Sequence, residues 1–196
     1  MARYDSKTAL VVVDMQNDFA DPQGSLHVPG GAALLPVINE EIERAAAAGA
    51  LVVYSQDWHP ETTHHFAKDG GIWPVHCVGG TWGAEFYPGL NVLEGAESIR
   101  KGTGGEDGYS VFSVRDTRTG ARYPTELEDI LRSRGIERVV IVGLATDYCV
   151  KETALDALRL GFDVEVMRRA VAAVDREPGD GERALEAVAA AGGRVE

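Results

Sequence analysis

Four side chains that could do chemistry follow short apolar runs of the sequence. They are Asp14, Asp57, Lys101 and Cys149. If the apolar runs are strands of a parallel sheet, these residues lie at the carboxyl ends of the strands, where ligands of such sheets bind. We therefore expect two acids, a base and a thiol to converge on one edge of the sheet and to form a reactive site.

Cys149 is the predicted nucleophile. It closes the segment Gly143 to Cys149, which leaves a predicted strand, and it lies at or near the start of the next helix. We expect the helix dipole and the free N–H groups of the first turn to lower the pKa of this thiol toward a reactive thiolate. The same N–H groups could form an oxyanion hole. The alternative is a small buried core residue, which is the interpretation we favour for Cys77 in its loop.

Asp14 and Lys101 are interpreted together with this thiol. An isolated Asp at the end of a strand is commonly a turn residue, and an isolated Lys is commonly a solvated charge. Asp14 opens a polar stretch that also contains Asp18, which could instead organise the turn. The combination with Cys149 favours a catalytic role for Asp14 and Lys101.

A second cluster indicates a metal site. Asp57 and His59 are two positions apart, so in an extended segment both side chains point the same way. His65 and His76 could complete the ligand set, and one carboxylate with two or three imidazoles suits zinc, iron or manganese. The alternative is that these histidines are surface residues or hydrogen-bond partners within a loop.

The elements that must position these residues follow from the apolar periodicity. β-branched apolar runs alternate with amphipathic stretches, which predicts an α/β fold of three layers, a mainly parallel sheet with helices on both faces. The predicted strands cover residues 9–13, 51–55, 98–101, 138–142 and 162–167, and the predicted helices cover 34–48, the stretch before Gly135, 149–160 and 182–191. Thr125 and Glu128 have the spacing of a capping box ahead of the second helix.

Length and composition limit the remaining possibilities. With 196 residues we expect one domain over residues 1–196, with irregular loops at about 58–90 and 102–124 as walls of a pocket. The net charge of −12 argues against binding nucleic acid or an anionic membrane surface. The sequence shows no signal peptide and no apolar run of about 18 residues, so we expect a cytoplasmic protein.

Eight segments of the chain resemble one enzyme family. In order they are ALVVVDMQNDF at 9–19, GSLHVPGG at 24–31, DWHP at 57–60, WPVHC at 73–77, GAEF at 83–86, KGT at 101–103, YS at 109–110 and ATDYCV at 145–150. Together they resemble the nicotinamidase/pyrazinamidase branch of the isochorismatase-like cysteine hydrolases. The DWHP and WPVHC segments are typical of the metal-dependent members.

The resemblance implies a catalytic triad and a set of metal ligands. The triad would be Cys149, Asp14 and Lys101, and one divalent metal, with zinc preferred to iron or manganese, would be bound by Asp57, His59 and His76. Many members carry a further histidine three positions before the Phe that corresponds to Phe66, where this chain has Thr63. Others ligate through the residue directly before that Phe, which makes His65 the candidate fourth ligand and His64 its substitute.

The resemblance also implies a substrate pocket and an activity. The pocket would be lined by Phe19, Leu26, Trp73, Tyr109 and Tyr148. The peptide between Leu144 and Ala145 would be cis, and the N–H groups of Ala145 and Cys149 would form the oxyanion hole. The implied reaction is deamidation of nicotinamide, and of pyrazinamide, through a cysteine thioester in NAD salvage, by a monomer or a small homo-oligomer whose partner is the small-molecule substrate.

Three other functions are compatible with parts of this pattern. A metal-independent amidase of the same superfamily would act on a carbamoyl or ureido acid, but it would not need Asp57, His59 and His76. A metallohydrolase could use metal-bound water alone, without Cys149. A non-catalytic isochorismatase-like binding module would not need all three residues of the triad.

Overall fold

The computed structural model describes residues 3–196 and is built around a parallel sheet. The strands are β1 Thr8–Val13, β2 Leu51–Asp57, β3 Glu97–Lys101, β4 Ser113–Arg115, β5 Arg122–Pro124, β6 Arg138–Leu144, β7 Asp163–Ala172 and β8 Arg194–Val195. Six of them form one sheet in the order β3-β2-β1-β6-β7-β8, and β4 and β5 form a separate antiparallel pair. All five predicted strands are confirmed, whereas β8, only two residues long, was not predicted.

Within residues 3–196, five α-helices accompany the sheet. They are α1 Asn17–Ala20, α2 Leu35–Ala47, α3 Leu127–Ser133, α4 Lys151–Arg159 and α5 Asp180–Ala190, and a π-helical turn at Thr146–Val150 leads directly into α4. Within residues 3–196, no helix combines the length and the apolar character that crossing a membrane requires.

The alternation of side chains along β1 divides the apolar core into two layers. Leu10 and Val12 belong to the cluster that contains Ile38 and Ile42 of α2. The intervening side chains, Ala9, Val11 and Val13, belong to the cluster with residues of α3, α4 and α5. Each fully buried Val or Leu contributes roughly 1.5–3 kcal/mol through the hydrophobic effect. The predicted three-layer α/β fold is therefore confirmed, with helices on both faces of the sheet.

The start of α3 differs from the capping box that the sequence predicts. The Thr125 hydroxyl accepts a hydrogen bond from the N–H of Leu127 at 3.3 Å and donates one to the carbonyl of Val111 at 2.6 Å. The Glu128 carboxylate pairs with Arg132 instead of reaching back to Thr125. The capping-box prediction was wrong because Val111 and Arg132 supply competing partners.

The two long segments after β2 and β3 differ in regularity. Residues 58–90 contain two 3₁₀ turns, Ala67–Asp69 and Trp82–Ala84, whereas 102–124 contain the unpredicted β4–β5 hairpin. Asp18 joins the first segment to the turn after β1. Its carboxylate accepts the N–H of Cys77, in that segment, at 2.7 Å and the N–H of Ser25, in the turn, at 3.0 Å. Asp18 thus organises the turn, as its sequence context allowed.

Gly143 allows β6 to approach β1 closely at the edge of the site. It pairs with Val13 in the sheet, has a φ of 110°, and a Cβ at this position would lie 2.1 Å from the carbonyl oxygen of Val13. We predict that Gly143→Ala lowers the free energy of unfolding by about 3 kcal/mol or more, as measured by urea denaturation.

Gly120→Ala is the matched control for this substitution. Gly120 also has a positive φ, 73°, but a Cβ there would meet no atom within 4 Å. Only the cost of the left-handed conformation, about 1–2 kcal/mol, should then appear. Equal losses in the two variants would contradict the role assigned to the contact between Gly143 and Val13.

Candidate active site

The structure brings the three predicted triad residues together at the carboxyl ends of β1, β3 and β6. Lys101 Nζ lies 2.7 Å from Asp14 Oδ2 and 3.6 Å from Cys149 Sγ. All three residues are buried. Asp14 adopts a left-handed backbone conformation with a φ of 48°, and its other carboxylate oxygen accepts a hydrogen bond from the Ser55 hydroxyl at 2.6 Å. The site thus contains a thiol, a carboxylate and an ammonium in mutual reach.

Lys101 is fully buried and is held by oxygen atoms from several directions. Besides Asp14, its Nζ donates to Asp57 Oδ1 at 2.7 Å and to the carbonyl of Gly108. Burial lowers the pKa of Lys101, but Asp14 and Asp57 outweigh this effect and hold it well above its usual range. The two carboxylates therefore favour the cationic form of Lys101, which lies between them.

Burial has the opposite effect on the acid and the thiol beside this cation. It raises the pKa of Asp14 above its usual value, although Lys101 opposes the shift. Burial also raises the pKa of Cys149 well above the usual range, and the neighbouring Asp14 carboxylate adds to the effect of burial while Lys101 opposes it. The expectation of a thiol with a lowered pKa was wrong, because burial and the carboxylates of Asp14 and Asp57 raise the pKa of Cys149. A thiol with a raised pKa needs a base that accepts its proton before it can attack.

The turn that presents Cys149 combines two unusual backbone features. Cys149 lies in the π-helical turn Thr146–Val150, and α4 itself begins only at Lys151, so the predicted helix start at Cys149 falls inside this turn. The peptide between Leu144 and Ala145 is cis, as the resemblance implies. Ala145 and Cys149 line the same cavity.

This cavity contains the five predicted pocket residues. Its wall consists of Phe19, Leu26, Asp57, His65, Trp73, His76, Tyr109, Ala145, Tyr148, Cys149 and Val174. Trp73 Nε1 donates a hydrogen bond to the Tyr109 hydroxyl at 2.8 Å, and the ring of Tyr148 meets the ring of Trp73 edge-on at 4.8 Å. Rings fixed in this way form a narrow apolar slot suited to a small flat molecule.

Three histidines form a buried cluster on one side of the cavity. One ring nitrogen from each of His59, His65 and His76 lies within 4.8 Å of the others. Asp57 Oδ2 lies 3.7 Å from His59 Nε2 and 3.8 Å from His76 Nε2, while its Oδ1 is bound to Lys101. Asp57 therefore connects the histidine cluster to the triad.

The hydrogen bonds of these imidazoles fit a metal ion at their centre. His65 Nδ1 is 2.6 Å from Asp107 Oδ1, and His76 Nδ1 is 2.8 Å from the carbonyl of Pro74, which leaves Nε2 of each ring free to bind a metal. Both ring nitrogens of His59 are buried without a hydrogen-bond partner. A divalent metal would remove this cost for the nitrogen that binds it, and N and O donors of this kind suit such an ion.

His64 does not join the cluster. It is exposed, and its Nδ1 is 2.8 Å from the carbonyl oxygen of Asp69. The geometry thus favours His65 over His64 as the histidine ligand from this loop.

Comparisons with known proteins place this geometry in a family. The isochorismatase domain family matches residues 8–196. The chain belongs to the isochorismatase family. The nicotinamidase of Escherichia coli (strain K12) is 38% identical over 200 residues, which cover 94% of this chain and 92% of the relative.

Two solved structures of the isochorismatase family share the fold of this chain. Pyrazinamidase of Pyrococcus horikoshii in complex with zinc is 44% identical, with a TM-score of 0.86 over 97% of this chain and 98% of the other. PnC1 from L. infantum in complex with nicotinate is 37% identical, with a TM-score of 0.87 over 100% of this chain and 95% of the other. The resemblance seen in the sequence is confirmed.

Some residues that shape this isochorismatase-family site were not predicted. Gln16 is buried, and its side-chain amide donates to the carbonyl of Asp57 at 2.8 Å and accepts the N–H of Asp57 at 2.8 Å, which fixes the end of β2. Val174 completes the cavity wall, held by the Asp147 carboxylate, which accepts its N–H at 3.0 Å. The polar stretch after β1 could have indicated Gln16, but nothing in the sequence marks Val174.

The buried cation makes a testable contribution to stability. Lys101→Met would leave Asp14 and Asp57 buried without their counter-charge, so we predict a loss of about 3–5 kcal/mol in the free energy of unfolding. Without the ammonium, the folded-state pKa of Asp14, already above its usual value, rises further, and we expect that of Asp57 to rise from its lowered value above that of the unfolded chain. Carboxyls with a raised folded-state pKa stabilise the fold while they are protonated, and this contribution is lost as the pH rises. The loss of unfolding free energy caused by Lys101→Met should therefore be greater at about pH 8 than at about pH 5.

Lys68→Met is the control for this measurement by urea unfolding. Lys68 is partly exposed and pairs with Asp69 at 2.6 Å, an arrangement typically worth less than about 1 kcal/mol. A Lys101→Met protein as stable as the Lys68→Met protein at every pH would contradict the role of Lys101 as the compensating charge.

Proposed function

We propose that the protein is a metal-dependent amidase that hydrolyses nicotinamide to nicotinate and ammonia, accepts pyrazinamide, and serves NAD salvage. The observation that carries the proposal is that one narrow cavity borders both Cys149 and the histidine cluster. A substrate with a ring nitrogen and a carboxamide could meet both at once. The similarity to a nicotinamidase, to a pyrazinamidase in complex with zinc and to a structure in complex with nicotinate supports this substrate class.

The proposed metal site consists of Asp57, His59, His65 and His76, and zinc is the proposed ion. When bound there, the ion would supply a Lewis acid for the ring nitrogen of the substrate. Phe19, Leu26, Trp73, Tyr109 and Tyr148 would hold the flat ring between them. With the ring fixed, the carboxamide would meet Cys149 in an orientation that makes the attack effectively unimolecular.

The first half of the proposed reaction transfers the acyl group to Cys149. Asp14 accepts the proton of the Cys149 thiol, and Lys101 keeps the Asp14 carboxylate oriented and compensates its charge. The sulfur forms a bond to the carboxamide carbon, and the resulting oxyanion accepts hydrogen bonds from the N–H groups of Ala145 and Cys149. Asp14 returns the proton to the nitrogen, ammonia leaves, and a thioester remains.

The second half of the proposed reaction releases the acid. Asp14 is again a free carboxylate and accepts a proton from a water molecule as its oxygen attacks the thioester carbon. The bond to sulfur breaks, the thiol of Cys149 recovers the proton, and nicotinate leaves. The raised pKa of Asp14 suits a group that both accepts and returns a proton.

The alternatives account for fewer features of the site. A metal-independent amidase for a carbamoyl or ureido acid would give no reason for His59 to be buried with two unpartnered ring nitrogens. A hydrolase that relied on metal-bound water alone would give no reason for the contacts among Asp14, Lys101 and Cys149. A binding module without catalysis would need neither the buried histidines nor the contacts among Asp14, Lys101 and Cys149.

Removal of the thiol tests the covalent reaction. We predict that Cys149→Ala lowers the rate of ammonia release from nicotinamide and pyrazinamide by about 10⁴-fold or more, because the acyl group has no acceptor. Cys77→Ala is the matched control, since Cys77 is also buried but lies outside the cavity wall, and it should retain ammonia release. Near-normal ammonia release by Cys149→Ala would refute the thioester intermediate. In a separate measurement, mass spectrometry of the wild-type protein mixed with substrate should detect the acyl group on Cys149.

Removal of the metal tests the proposed substrate orientation. We predict that chelation weakens nicotinamide binding by at least about tenfold, or 1.4 kcal/mol, and that zinc restores it. Calorimetry with the Cys149→Ala protein measures this affinity without consuming the amide. Unchanged affinity after chelation would refute coordination of the ring nitrogen while leaving the role of Cys149 intact.

A further inference from the structure

A chain of three side chains leads from the β4 strand to the histidine cluster. His65 Nδ1 is 2.6 Å from Asp107 Oδ1, and the other oxygen of Asp107 is 3.2 Å from an Arg115 guanidinium nitrogen. Asp107 and Arg115 are also joined through their backbones, by N–H to carbonyl hydrogen bonds of 2.8 and 2.9 Å in both directions. The carboxylate therefore has a fixed position and a fixed orientation.

The three imidazoles of the cluster differ in what holds them. The ring of His76 is hydrogen-bonded to the backbone carbonyl of Pro74, whereas within residues 3–196 the ring of His59 has no hydrogen-bond partner on either nitrogen. In the part of the chain that the structure describes, His65 is the member of the cluster whose Nδ1 meets a carboxylate. A carboxylate on one ring nitrogen fixes the proton there, turns the other nitrogen toward the metal and makes it a better donor.

We propose that Asp107 is a positioning residue of the metal centre, which acts through His65 and is itself oriented by Arg115. This inference rests on the proposed metal site, and it extends that site to a loop and a hairpin that supply none of its ligands. Asp107 fixes the Nδ1–H form of His65, so that Nε2 faces the other ligands before the metal arrives. Arg115 is half-exposed and holds the far oxygen of Asp107, so its own contribution is smaller.

The test measures zinc affinity by competition between the zinc-loaded protein and a chelator of known affinity. Asp107→Ala removes the hydrogen bond to His65, and we expect it to weaken zinc binding by about 10- to 100-fold. Asp107→Asn keeps an oxygen acceptor of the same shape without the charge, so it should weaken zinc binding less than Asp107→Ala does. Glu106→Gln is the matched control: it removes a carboxylate from the neighbouring residue, whose oxygen is bonded to the N–H of Gly104, and it should leave zinc affinity unchanged.

A second readout separates positioning from a general loss of structure. Nitrogen NMR of the zinc-loaded protein with labelled histidine rings should show a proton on His65 Nδ1 that exchanges slowly in the wild type and rapidly in Asp107→Ala. Thermal unfolding of each zinc-loaded variant checks that the fold is retained. If Asp107→Ala does not fold, the zinc affinity of Asp107→Asn is compared with that of the wild type instead.

The outcomes distinguish this inference from the proposed function. A wild-type protein that binds no zinc would overturn the metal centre and with it the role of Asp107. Zinc affinity that is normal in the wild type and unchanged in Asp107→Ala, or equally weakened in Glu106→Gln, would overturn the positioning role alone.

Discussion

The contact on which the rest of the site depends is the buried ion cluster of Lys101 with Asp14 and Asp57. Buried charged groups are stable only if each has an opposite charge close by in a fixed geometry, and the ammonium lies 2.7 Å from each carboxylate. The same cation orients the predicted general base and one predicted metal ligand. In the proposed reaction, proton transfer and metal binding would thereby be coupled through one nitrogen atom.

The sheet makes this cluster possible because its neighbouring strands are parallel and in register. Asp57 pairs with Lys101 across β2 and β3, and Asp14 directly follows β1, so the three side chains emerge at one edge of the sheet. Residues outside the sheet then fix the orientation of each group: Ser55 bonds Asp14, Gln16 bonds the backbone of Asp57, and Asp107 bonds His65. The ends of the strands and the turn after β6 carry the reactive groups, and loop residues complete the cavity wall.

The sequence was informative where function coincides with a strand end. Asp14, Asp57 and Lys101 could be predicted because a polar residue after a buried apolar run is conspicuous, and the same pattern predicted the α/β fold. The β4–β5 hairpin could not be predicted, since both strands are only three residues long, β5 is exposed and β4 is at most partly buried. Val174 and Asp107 reach the site only through the folding of distant loops, and the raised pKa of Cys149 depends on burial that local sequence does not reveal.

The charge state of Lys101 is the most direct test of this account. Nitrogen NMR of the zinc-loaded protein with lysine labelled at Nζ can follow each amine as the pH is raised. The account predicts that Lys101 remains an ammonium above the pH at which a lysine of ordinary pKa loses its proton, because Asp14 and Asp57 hold the pKa of Lys101 well above the usual range. If Lys101 lost its proton at the pH of an ordinary lysine or below it, the buried ion cluster could not be the basis of the site.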